Sequence, residues 1–162
     1  MKGFIIALLC VALLCPVFAS CAQPRYIDSL ACSDIANALR EEILGENEYG
    51  IYDDADVEYL IDSDCYNSSC VMYSLSGDDV GEVGILHADN VKKAEELLED
   101  TSEYIDDLKE EKSDFLRSYL PDELDKLNKA SVKRFGNYVV YTILPSDLSE
   151  KVFQRVKDML KA

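Results

Sequence analysis

Apolar and polar positions divide this chain into segments of different period. Residues 4–14 are apolar almost without interruption. After a polar stretch, Ile35, Leu39 and Ile43 recur at helical spacing behind Ser33, a good N-cap, and Gly45 stands where a C-terminal cap belongs. "GENEYGIYDDADVEYLIDSD" follows, rich in acids and turn formers, with room for a short helix from Asp54 or Asp56 carrying Val57, Leu60 and Ile61. "CVMYSL" and "EVGILHA" then read as strands. The run Ser76-Gly77-Asp78-Asp79 between them predicts a hairpin.

A long helix of about residues 90–119 comes next, capped by Asp89 or Asn90. Its apolar positions step by threes and fours through Val91, Ala94, Leu98, Thr101, Ile105, Leu108, Lys112, Phe115 and Tyr119, a heptad-like stripe. At 1.5 Å per residue it is about 43 Å long, enough to cross a whole sheet. The stripe predicts that Phe115 and Tyr119 pack against the second hairpin, near Val139 and Tyr141. Pro121 stops the helix, since its ring fixes φ and its nitrogen donates no hydrogen bond. "PDELDKL" restarts a short helix with Pro121 at its first position. "SVKRF" and "YVVYTIL" are strands joined by Gly136-Asn137, a pair suited to a tight turn. Asp147 and Glu150 make a capping box for a last helix that buries Val152, Phe153, Val156, Met159 and Leu160.

Hairpins separated by helices predict an α+β domain over residues 33–162. The expected form is an antiparallel sheet of two hairpins, with helices on one face and the long helix crossing it.

The first twenty residues have a basic start at Lys2, an apolar middle, and small residues at Ala19 and Ser20. That is the layout of a signal peptide, residues 1–20. The stretch Phe18-Ala19-Ser20-Cys21 resembles a bacterial lipobox, in which the cysteine is acylated and becomes the mature N-terminus. Cys21 is the candidate lipidation site, with residues 21–32 as a tether. Two acyl chains suffice for stable attachment, at about 0.8 kcal/mol per buried methylene. A soluble secreted form and an uncleaved anchor are the alternatives. The expected location is the extracellular face of the cell membrane.

The chain carries 16 basic and 32 acidic residues, for a net charge of −16. Such a surface repels nucleic acid and favours cationic partners, or serves solubility alone. The acids crowd the long helix, from Glu95 and Glu96 to Glu110 and Glu111.

Candidate chemistry is sparse. His87 is the only histidine, and it ends a strand beside a helix cap, so a surface or capping role is expected rather than a Cys70–His87 dyad. With Cys21 acylated, Cys32, Cys65 and Cys70 remain. Cys65 and Cys70 enclose a short loop and are the candidate disulfide; Cys32 with either, or free buried thiols, are the other readings. The acids around Asp54 and Asp62 fail the EF-hand pattern, so no metal site is expected. No phosphate loop or dinucleotide fingerprint is present, and no cofactor is expected. Gly81-Glu82-Val83-Gly84 reads as strand glycines of the kind that mark a bulge. Tyr104, Tyr119, Tyr138 and Tyr141 read as packing.

From about Val83 onward, "GILHADN", "FLRSYLPDELDKL" and "GNYVVYTI" resemble the domain of unknown function 4358 family. The matching features are an aromatic-proline element, Tyr119 and Pro121, and the hairpin of Gly136, Asn137 and Tyr138. The resemblance implies a small lipoprotein of the Firmicutes type and no assigned activity. The expected function is a lipid-anchored, noncatalytic binding or scaffolding module, not an enzyme, with a basic protein surface as its candidate partner. A small-ligand or metal-ion receptor and a carboxylate-based hydrolase are the alternatives.

Overall fold

The computed structural model of the protein describes residues 25–162. Cys21, the expected signal peptide and the start of the expected tether lie outside the described residues.

Helix α1 spans Cys32–Leu39. It begins at Ala31 without a side-chain cap, so Ser33 lies inside its first turn instead of capping it. The chain then widens into a π-helical turn, Arg40–Leu44, closed by Gly45 at φ +92°, a conformation that glycine adopts without strain. Strand β1, Tyr49–Ile51, emerges from the acid-rich stretch. Asp53 caps α2, Asp54–Leu60, by accepting from the Asp56 N–H. Strand β2 is Tyr66–Ser74 and β3 is Glu82–Ala88. Asn90 caps the long helix α3, Val91–Tyr119. Leu120 breaks it, and Pro121 opens α4, Pro121–Asn128. Strands β4, Ser131–Phe135, and β5, Tyr138–Ile143, turn at Gly136 with φ +63°. Helix α5, Ser146–Leu160, starts behind Pro145 with no side-chain cap, so the expected box at Asp147 and Glu150 is not formed.

The sheet has five antiparallel strands in the order β1-β2-β3-β5-β4. Pairing of β3 with β5 joins the two hairpins, with Gly84 opposite Tyr141 and Leu86 opposite Val139. The fold is α+β, as expected. The helices, however, cover both faces of the sheet and not one. Cys70, Met72, Ile85, Tyr138 and Val140 pack on α1 and α5 through Ile35, Leu39, Val152 and Val156. On the other face Val71, Leu86, Val139 and Tyr141 meet Val57, Ala94, Leu97 and Ile105 of α2 and α3. Ile143 meets Leu116 and Leu127 where α3 and α4 join. The cause is visible in β5, which is buried at every position and therefore needs cover on both sides.

Part of the expected tether is folded onto the domain. The Ile27 N–H donates to the Leu160 carbonyl at 2.8 Å, and the Ala162 N–H to the Arg25 carbonyl at 3.0 Å. Tyr26 packs edge-on against Phe135, with ring centroids 5.9 Å apart. Asp28 accepts from Asn137 at 2.9 Å and lies 2.6 Å from Nε2 of His87.

Phe115 and Tyr119 are 58% and 72% exposed, and they pack on each other instead of on the second hairpin. A strict seven-residue repeat drifts about 20° per heptad on a straight helix. Over the length of α3 the drift carries Phe115 off the sheet-facing side, and Leu116, 2% exposed, takes its place. Leu97 likewise displaces Leu98 as the fully buried leucine of the first half. Leu116→Ala is expected to cost about 2–5 kcal/mol in chemical denaturation, and Phe115→Ala less than about 1 kcal/mol. The reverse order would put the stripe back on the heptad register.

Candidate functional site

Glu82 opens β3 on the side of the sheet that faces α3, and it is only 6% exposed. Two hydroxyls donate to its Oε1, Tyr104 of α3 at 2.9 Å and Tyr141 of β5 at 2.6 Å. Gly84 is what permits this arrangement. The Tyr141 ring lies directly over it, and a Cβ at that position would overlap the ring. The glycine spacing in Gly81-Glu82-Val83-Gly84 therefore marks a close ring approach rather than a bulge. Burial pushes the Glu82 carboxyl above its ordinary value of 4.5, against the two hydroxyl donors and the positive charge of Lys112, which favour ionisation. Burial and the neighbouring carboxylate push both tyrosines up as well.

Glu82 lies in a cleft of about 470 Å³ between the β2–β3 turn and α3. Tyr52 and Tyr73 form part of its wall, with ring centroids 4.4 Å apart. Tyr73 reaches this position across Gly50, its partner on β1, where a Cβ would come within 2.6 Å of the ring. The turn is pinned to α4 by Lys126, which pairs with both Asp79 and Glu123. Burial opposes the Lys126 charge, but the two carboxylates outweigh it and raise its pKa. Glu123 also accepts from the Val80 N–H at 2.9 Å.

A second hollow of about 670 Å³, bordered by Tyr59, Leu60 and Asp62, continues along α3. It shares Leu60, Tyr104, Leu108, Glu111 and Lys112 with the first, so the two form one trough. On α3 the trough is lined by Asp100, Glu103, Tyr104, Asp107, Leu108, Glu111, Lys112, Phe115 and Leu116, a stripe at alternating steps of three and one along one helical face. Elsewhere on the helix Glu95, Glu96, Asp106 and Asp114 are engaged in ion pairs. Among the described residues Asp100, Glu103, Asp107 and Glu111 form no such pair.

The residues singled out in the sequence lie elsewhere. Cys65 and Cys70 are free, buried and on opposite faces of the sheet, because Tyr66–Ser74 is a strand and not a closed loop. Five residues of strand span about 16 Å, well beyond the Cα separation of roughly 7 Å that a disulfide tolerates. The candidate disulfide is therefore not formed. Cys32 is free as well, and burial pushes its thiol up to about 11. Burial also pushes up Cys65 and Cys70, which suits inert packing and not thiolate chemistry. His87 does not form a dyad with Cys70; its ring nitrogens face Asp28 and, at 3.0 Å, Asn67. No group of three or more metal-ligating side chains converges among the described residues.

Residues 46–144 match the family described as domain of unknown function (DUF4358). The chain belongs to this family. The matched region begins well before Val83 and runs from just ahead of β1 through β5, so the trough lies within the family domain while α1 and α5 flank it. No curated protein and no solved structure matches the chain.

Glu82→Gln tests the state of the buried carboxyl. A raised native pKa means that the folded chain binds more protons than the unfolded one between the ordinary value of 4.5 and the native value. Stability then falls as pH rises through that window, and the loss is complete above the native pKa. The variant lacks this titration, so its stability relative to the parent should climb with pH across the window in urea denaturation. Parallel pH curves would show that Glu82 carries no such shift.

Proposed function

We propose that this member of the family is a lipid-anchored, extracytoplasmic, noncatalytic binding module that docks a basic polypeptide in the trough beside α3. The observation that carries the reading is the facing stripe of α3, where four carboxylates free of ion pairs alternate with Tyr104, Leu108 and Phe115. Acids attract and orient a cationic partner, and the aromatic and aliphatic positions supply apolar contact. A partner of opposite charge also matches the net charge of −16. The buried thiols and the engaged His87 offer no activated nucleophile, which favours binding over catalysis. The cleft around Glu82 has the volume of a small-molecule site, so a small cationic ligand is the second reading. Attachment through Cys21 is supported by the apolar run and the Ala19-Ser20 step before it.

Two measurements test these claims. Mass spectrometry of the membrane fraction should find an acylated peptide beginning at Cys21, and Cys21→Ser should release the protein from the membrane. A free N-terminus at Ala22, or a Cys21→Ser protein that stays bound, would exclude the lipid anchor. For the docking reading, a heptapeptide of alternating lysine and leucine should bind with an affinity that falls steeply with salt. Converting Asp100, Glu103, Asp107 and Glu111 to their amides should weaken it about tenfold and flatten the salt dependence. Unchanged affinity would make the acidic face a coat for solubility.

A further inference from the structure

Glu82 differs from the other acids of the trough. It is on the floor rather than the rim, and its two oxygens are unequal. Both tyrosine hydroxyls end on Oε1. No donor among the described residues reaches Oε2, and Glu82 lines the cleft. Lys112 borders the cleft, its positive charge favours ionisation of Glu82, and among the described residues it forms no ion pair. Tyr52, Tyr73, Tyr104 and Phe115, with Leu60 and Leu108, are among the other lining residues.

We infer that this cleft is a receptor for a single primary ammonium group on an unbranched alkyl stem, with Oε2 of Glu82 as its counter-ion. The inference rests on the proposed docking of a basic polypeptide, whose lysine side chain would supply the group, and a free alkylamine offers the same chemistry. The methylene stem suits the aliphatic and aromatic walls. The one-sided occupation of the carboxylate sets the specificity. A guanidinium binds best as a fork across both carboxylate oxygens. With Oε1 already accepting from Tyr104 and Tyr141, that fork has only one free oxygen. An ammonium is a compact point charge and needs no more than Oε2. Glu82 therefore selects lysine over arginine, and Tyr104 and Tyr141 act as positioning residues that hold Oε1 out of reach.

The test titrates the full chain by NMR with hexylammonium chloride and hexylguanidinium chloride, then with the lysine–leucine heptapeptide and its arginine counterpart. Hexylammonium should shift the Tyr104 and Tyr141 resonances and bind about tenfold more tightly than hexylguanidinium. Glu82→Gln keeps an acceptor for both hydroxyls and should abolish that preference, while Lys112→Met should tighten hexylammonium binding. Equal binding of the two probes, an unchanged preference in Glu82→Gln, or weaker binding in Lys112→Met would overturn the inference. If the heptapeptide binds equally well to Glu82→Gln, the docking reading stands and the role of Glu82 falls. If hexylammonium binds at Glu82 but the heptapeptide does not, the cleft serves a free amine, and the ammonium assignment stands without the docking reading.

Discussion

Strand β5 has no side that faces water, and most of the architecture follows from that. A strand buried on both faces needs a layer of helices above and another below. Helices α1 and α5 supply one layer and α2, α3 and α4 the other. Its neighbour β3 shares the condition, with only His87 partly open. Among the described residues the pairing of β3 with β5 is also what joins the two hairpins into one sheet. Whatever sits on these two strands is therefore held by the most buried part of the molecule, and Glu82 and Tyr141 sit there.

A carboxyl group in such a place is costly unless hydrogen bonds satisfy it. The chain meets the requirement with two phenols from different elements, one on a neighbouring strand and one on the helix above. Each phenol depends on a small residue or a helical register elsewhere. Tyr141 needs a bare backbone at Gly84, and Tyr104 needs α3 seated so that Ile105 points into the core beside it. The same seating turns Asp100, Glu103, Asp107 and Glu111 toward the trough. Core packing and the charge pattern of the site are thus two readings of a single helical phase.

Much of the fold was legible in the residues. Caps and turns at Asn90, Pro121 and Gly136 fall where local backbone chemistry demands them, because such signals depend on near neighbours only. The second helical layer was missed, although "YVVYTIL" shows the continuous apolar run of a strand covered on both sides. Strand β1 was hidden because its three residues stand among turn formers and gain their order from pairing with β2. The site was the least legible part. Glu82 looked like one acid among many, and its importance comes from Tyr104 and Tyr141, far away in the chain. The heptad reading of α3 failed by a gradual drift, which put Phe115 in the core on paper and on the rim of the trough in the structure. The proposed disulfide failed because a sequence gap of five residues says nothing about whether the chain between them is coiled or extended.

The N-terminal strap has a mechanical meaning. Arg25 and Ile27 are bonded to the far end of the chain, and Asp28 is clasped by His87 and Asn137 at the edge where β3 finishes. Tension entering at residue 25 is met first by these contacts and passes into α5 and the two central strands. Glu82 stands at the other end of β3 from His87. A pull applied at residue 25 would load the His87 end of β3 before it reached the Glu82 end.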